Sequence, residues 1–105
     1  MFDKFGGMLQ QFKDMQSKFG EVQDKLREKR IEASTGGGMV KVTANGLNEI
    51  LSVQIDEELI NMQDRAILEE LTAGAMNEVT RQAKALFAEE VSQLTGGIKI
   101  PGLFG

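Results

Sequence analysis

The first quarter of the chain carries an apolar seam that leaves little freedom of fold. Phe5, Met8, Phe12, Met15, Phe19, Val22 and Leu26 follow one another in alternating steps of three and four. Such spacing places Phe5, Phe12, Phe19 and Leu26 in one heptad register and Met8, Met15 and Val22 in the adjoining one, along one face of a helix. The pattern predicts a helix over residues 8–30. Gly6-Gly7 is expected to fray its start, and Gly20 lies off the seam at a cost of about 1 kcal/mol relative to Ala. Two uses of the seam stay open: ordinary packing within the chain, or a coiled-coil contact between chains. Phe12, Met15, Phe19, Val22 and Leu26 are its candidate core or dimer positions.

The pattern then changes period. Ile31 to Thr35, Met39 to Ala44 and Leu47 to Ile55 read as strands, separated by Gly36-Gly37-Gly38 and Asn45-Gly46. Asn-Gly between alternating apolar runs is the signature of a two-residue type I′ hairpin. That turn would pair Ala44 with Leu47, Val42 with Glu49 and Val40 with Leu51. Val40, Val42, Ala44, Leu47, Leu51, Val53 and Ile55 would then share an apolar face, opposite Lys41, Thr43, Asn48, Ser52 and Gln54, with Ile50 out of place. The expectation is a three-stranded antiparallel sheet over residues 31–55, covered on one side. Its exposed edges invite pairing with another chain.

A second long helix is expected over residues 64–94, with Asp64 as its N-cap. Its stripe is Leu68, Leu71, Ala75, Val79, Ala83, Phe87, Val91 and Leu94, and Thr95-Gly96-Gly97 ends it. The fold class is therefore α+β: a long N-terminal helix, the sheet and a long C-terminal helix, in a single domain over residues 1–97. Residues 98–105 have no periodicity and read as a flexible tail. At 1.5 Å per residue the helices span roughly 34 and 46 Å, against about 20 Å for a strand. Both overshoot the sheet. Chain order makes antiparallel helices bring their free ends together as a projecting arm, carrying Lys4, Lys13 and Lys18 from one and Arg81 and Lys84 from the other. So extended a chain has poor surface-to-volume economy, which favours a two-fold homodimer joined through the sheet, with help from the Phe-rich seam.

Composition excludes much chemistry. The 105 residues contain no Cys, His, Trp or Tyr, and their aromatics are all Phe. Disulfides, zinc fingers, thiol nucleophiles and Ser-His relays are ruled out. The adjacent carboxylates Glu57-Glu58, Glu69-Glu70 and Glu89-Glu90 diverge on a helix and read as solvated surface rather than as acid–base pairs. Gly36-Gly37-Gly38 lacks the Gly-Lys-Ser/Thr of a phosphate-binding loop. No metal, cofactor or catalytic group is expected, and no segment long enough to cross a membrane. The formal net charge is −4. It is unevenly spread: residues 1–30 hold seven Lys or Arg against five Asp or Glu, and the rest of the chain five against eleven. Part of the N-terminal excess is the group Lys25, Arg27, Lys29 and Arg30, which has two readings: complementing the helix macrodipole, or binding an anion.

The sequence resembles the bacterial YbaB/EbfC nucleoid-associated proteins along essentially its whole length. The resemblance is carried by Met8-Leu9-Gln10-Gln11 through Met15-Gln16, by Gly38-Met39-Val40-Lys41-Val42-Thr43, by Asn45-Gly46 and by Val53-Gln54-Ile55-Asp56. Leu68-Glu69-Glu70-Leu71, Met76-Asn77-Glu78 and the closing Pro101-Gly102-Leu103-Phe104 complete it. It implies a non-enzymatic, cytoplasmic protein of the nucleoid: a homodimer whose paired helices project like tweezers and bind double-stranded DNA, organising the chromosome and regulating genes. The implied partners are a second copy, DNA and other DNA-maintenance proteins. With the geometry above, the candidate DNA-binding residues are Lys4, Lys13, Lys18, Lys25, Arg81 and Lys84. The competing reading is a structural or adaptor dimer that grips a protein through its Met/Phe-rich helices, favoured by the acidic total and the adaptability of Met at contact surfaces.

Overall fold

A computed structural model of the chain describes residues 2–94, with side chains from Gly6 onward. The element order is α1 (Phe2–Glu28), β1 (Arg30–Thr35), β2 (Val40–Asn45), β3 (Ile50–Ile55), α2 (Glu57–Asn61) and α3 (Arg65–Leu94). The α+β architecture matches the sequence reading. The expected tail over 98–105 lies outside the described residues.

The first helix starts before residue 8. Gly6 and Gly7 are helical and a Cβ on either would meet nothing within 4 Å. Two glycines weaken a helix by about 1 kcal/mol each but, without a cap or proline, do not end it. Helix α1 stops at Glu28 rather than at residue 30 because Arg30 is already paired with Asn45 in the sheet. Helix α3 begins where its cap dictates: the Asp64 carboxylate accepts a hydrogen bond from the Ile67 N–H at 3.2 Å.

The sheet is antiparallel in the order β1-β2-β3. Its second hairpin differs from the two-residue turn. Val40 pairs with Ile55, Val42 with Val53 and Ala44 with Ile50, and the register shifts between Thr43 and Ala44. Leu51 is thus an extra residue, a β-bulge. The bulge explains Ile50, which looked out of place in strict alternation and here stands opposite Ala44. The turn is longer because Asn45 organises it. Its Oδ1 accepts from the N–H groups of Leu47 (3.0 Å) and Glu49 (3.1 Å), and Asn48 takes the left-handed φ of 63°. Gly46 serves close approach instead: its N–H donates to the Leu26 carbonyl at 2.7 Å, and a Cβ there would sit 2.6 Å from that oxygen.

Ala33, Val40, Val42, Ala44, Leu59, Ala75 and Val79 form the core, flanked by Ile31, Met39, Ile67, Leu68, Leu71 and Met76. Alanines on both layers let α3 lie close over β1 and β2. The covered face stops there. All six residues of β3 are exposed, including Leu51 (48%) and Val53 (44%), and Ile60 and Met62 beyond it are half-exposed. The sequence reading placed the β3 apolar residues on a covered face; within one chain, α3 lies over the other two strands.

Candidate nucleic-acid interface

The cations belong to a molecule that is far from spherical. Its radius of gyration is 19.6 Å and its extents are 72 × 24 × 18 Å, whereas a compact chain of this length has a radius near 13 Å. Helix α1 causes the difference. Leu26 is fully buried and Val22 half-buried at its C-terminal end, but every residue from Gly6 to Phe19 is exposed. Phe12 (62%), Met15 and Phe19 of the seam lie open, so the seam splits into a buried foot and a bare rod roughly 20 Å long.

Helix α3 runs back along β1 to the foot of this rod. Near its start, the Thr35 hydroxyl donates to the Leu71 carbonyl at 2.7 Å. Near its end, Glu90 meets Lys29 at 2.8 Å and Lys25 at 3.3 Å. A groove of about 380 Å³, lined by Lys18, Glu21, Val22, Lys25, Glu90, Gln93 and Leu94, lies between the two helices there. The described part of α3 ends at Leu94, beside Lys18, Glu21 and Val22 of α1, and among the described residues α1 extends beyond it. The expectation that both free ends form one arm therefore needs correction. Arg81 and Lys84 lie between the Leu71 and Glu90 contacts, over the sheet, and not beside Lys13. Periodicity fixes the face of each helix but not the axial offset between helices.

The candidate residues fall into three groups. Lys13 and Lys18 stand exposed on α1, and no ion pair among the described residues engages them. Lys18 shares its heptad position with Gln11, Lys25 and Lys4, so a row of long polar residues borders the Met8–Met15–Val22 side of the seam. Lys4 lies within α1, its side chain outside the described residues. In the second group Lys25 is half-committed, its ammonium shared between solvent and Glu90. The third group is on α3. Arg81 is held by Glu78, its Nε 3.0 Å from Oε2. The hydrogen bonds from Arg81 and then Gln82 pull the half-buried Glu78 carboxyl down to about 2, so the pair stays charged and mutually neutral at physiological pH. Lys84 is exposed and outside any ion pair among the described residues.

Glu90 is the residue that sequence reasoning missed. Of Glu89-Glu90, read as solvated, Glu89 is exposed but Glu90 is only 4% exposed. The signal was present: Glu90 lies seven residues beyond Ala83, on the face that α3 buries. The hydrogen bond from Lys29 holds its carboxyl below the ordinary value, against the opposing effect of burial and with smaller help from Lys25. Among the described residues no group of three carboxylates is placed to hold a metal ion, and no helix is long and apolar enough to cross a membrane.

Comparison with known proteins finds DNA-associated relatives of the chain. Residues 1–98 match the model of the YbaB/EbfC DNA-binding family. A nucleoid-associated protein of Desulfotalea psychrophila is 45% identical over 96 residues, covering 91% of each chain. One from Thermoanaerobacter pseudethanolicus is 40% identical over 97 residues, covering 92% of this chain and 87% of that one. The crystal structure of an uncharacterized protein from Helicobacter pylori superposes with a TM-score of 0.77 at 25% identity, over 90% of this chain and 97% of that one.

Proposed function

This chain belongs to the YbaB/EbfC DNA-binding family, and on that premise we propose that it is a nucleoid-associated protein that holds double-stranded DNA as a homodimer, through cations displayed on the α1 rod. It acts by binding, without catalytic chemistry, to organise the chromosome and through it gene expression. The observation that carries this reading is the bare rod itself. Lys13 and Lys18 stand exposed on the part of α1 that lies beyond its buried foot, open to phosphates, and Lys4 lies on the same helix. Lys25 continues the row at the foot. Lys84 and Arg81 form a second, weaker patch over the sheet. Gln10, Gln11 and Gln16 add uncharged phosphate contacts.

The second copy answers the exposed apolar surface. β3 is an edge strand whose Leu51, Val53 and Ile55 are 40–48% exposed, and Ile60 and Met62, soon after it in the chain, are 50–51% exposed. Unpaired edges of this kind are templates for pairing, and a two-fold contact there would also double the number of rods. A dimer carries a formal charge of about −8, twice that of the chain, so affinity rests on the local rod field and falls steeply with salt.

The test is a titration of duplex DNA across salt with wild type and a Lys13→Gln/Lys18→Gln/Arg81→Gln/Lys84→Gln variant. The proposal expects salt-sensitive binding that the variant loses. Binding that is absent, or unchanged in the variant, would favour the adaptor reading, in which the open Met8, Phe12, Met15 and Phe19 stripe grips a protein.

A further inference from the structure

Two polar side chains are buried among the described residues, Asn45 and Glu90, and both brace the foot of α1. Asn45 shapes the turn whose next residue, Gly46, donates to the Leu26 carbonyl at 2.7 Å. Glu90 reaches from α3 to Lys25 in the last turns of α1 and to Lys29 at the junction between α1 and β1. A carboxylate with two ammonium partners therefore ties three parts of the chain together where the rod begins.

The carboxylate is buried but its partners Lys25 and Lys29 are 56% and 39% exposed, so solvent screens the group and it is no large source of stability. What it adds is direction. Leu26 and the Gly46 hydrogen bond fix one point on α1, on the side of the β2–β3 turn. The Glu90 contacts supply a second point, off to the α3 side. The lever is long: Gln10 lies roughly 22 Å from Lys25 along the axis, so a tilt of about 20° at the foot displaces it by about 8 Å.

We propose that Glu90 is a positioning residue for DNA binding: by clasping Lys25 and Lys29 it sets the direction in which α1 leaves the domain, and so where the rod cations meet the duplex. This rests on the function proposed above, and its consequence for affinity runs against simple electrostatics. Removing a negative charge and freeing two lysines should tighten binding to a polyanion. Loss of positioning weakens it.

The test uses the full chain, which has no cysteine, so that Gln10→Cys and Ser34→Cys carry spin labels on the rod and on β1 without background. Labelled protein is diluted with unlabelled chain, and the intramolecular distance is read by pulsed electron resonance, with duplex affinity measured at fixed salt on the unlabelled chains that keep Gln10 and Ser34. In a Glu90→Gln background the distance distribution should broaden or shift by several ångströms, and affinity should fall several-fold. Glu89→Gln, the exposed neighbour with the same charge change, should leave the distance unaltered and affinity equal or higher. Lys29→Arg should preserve the wild-type distance. An unchanged narrow distribution in Glu90→Gln, or affinity that rises as in Glu89→Gln, would overturn the proposal. Lys29→Gln opens the clasp from its other side and supplies the same distance test if Glu90→Gln does not fold. The distances need no DNA: a wild type that fails to bind duplex overturns the proposed function, while they still decide what directs α1.

Discussion

Gly46 and Asn45 show how a short motif can be recognised for one reason and used for another. Asn-Gly announced a turn, and there is a turn, but the glycine is needed because the foot of α1 presses on it. Gly46→Ala would put a methyl 2.6 Å from the Leu26 carbonyl oxygen and 3.0 Å from its Cα, both backbone atoms. Destabilisation of about 1–3 kcal/mol is expected, read as a lower denaturation midpoint. Gly20→Ala has the opposite sign: nothing lies within 4 Å of the added methyl, and the helix gains about 1 kcal/mol. Glu90 was illegible for a related reason. Residue type said surface, while its place in the α3 stripe said interior, and the two lysines that reconcile them lie some sixty positions away.

The helices and strands themselves were largely legible. Heptad steps marked α1, alternation marked the three strands, and Asp64 marked the start of α3. What periodicity left open was register. The β3 pairing slid by four residues from a two-residue turn because the Asn45 side chain holds a longer loop and Leu51 bulges. Four is an even number, so Val53 and Ile55 kept their face. The contact between α1 and α3 was likewise misplaced along its axis, which removed Arg81 and Lys84 from the arm. The α1–α3 junction also has a pH signature. Lys29 and Lys25 lower the Glu90 carboxyl in the folded state, so the unfolded state binds protons more readily there. The clasp contributes fully above the unfolded carboxyl pKa and loses its contribution as pH falls through the lowered folded value. Denaturant titrations of wild type and Glu90→Gln should therefore differ at neutral pH and converge in acid. A gap that stays constant with pH would assign the effect of Gln to packing alone.

At the scale of the whole molecule, one chain leaves two surfaces unfinished: the β3 edge with Ile60 and Met62, and the rod stripe of Met8, Phe12, Met15 and Phe19. Light scattering should give a dimer mass, and Val53→Lys, placed at the centre of the edge strand, should shift it toward monomer while far-UV dichroism stays unchanged. A monomeric wild type would contradict the assignment of that edge to a second copy. The acidic total means that binding depends on where cations stand rather than on their number, and the salt dependence of binding measures this directly. Each lysine that neutralises a phosphate contributes about one unit to the slope of log affinity against log salt. The decisive measurement compares that slope for wild type, Lys13→Gln/Lys18→Gln on the rod and Arg81→Gln/Lys84→Gln over the sheet. A rod that carries the duplex predicts a slope clearly reduced by the first pair and much less by the second; equal slopes for wild type and the rod variant would contradict it.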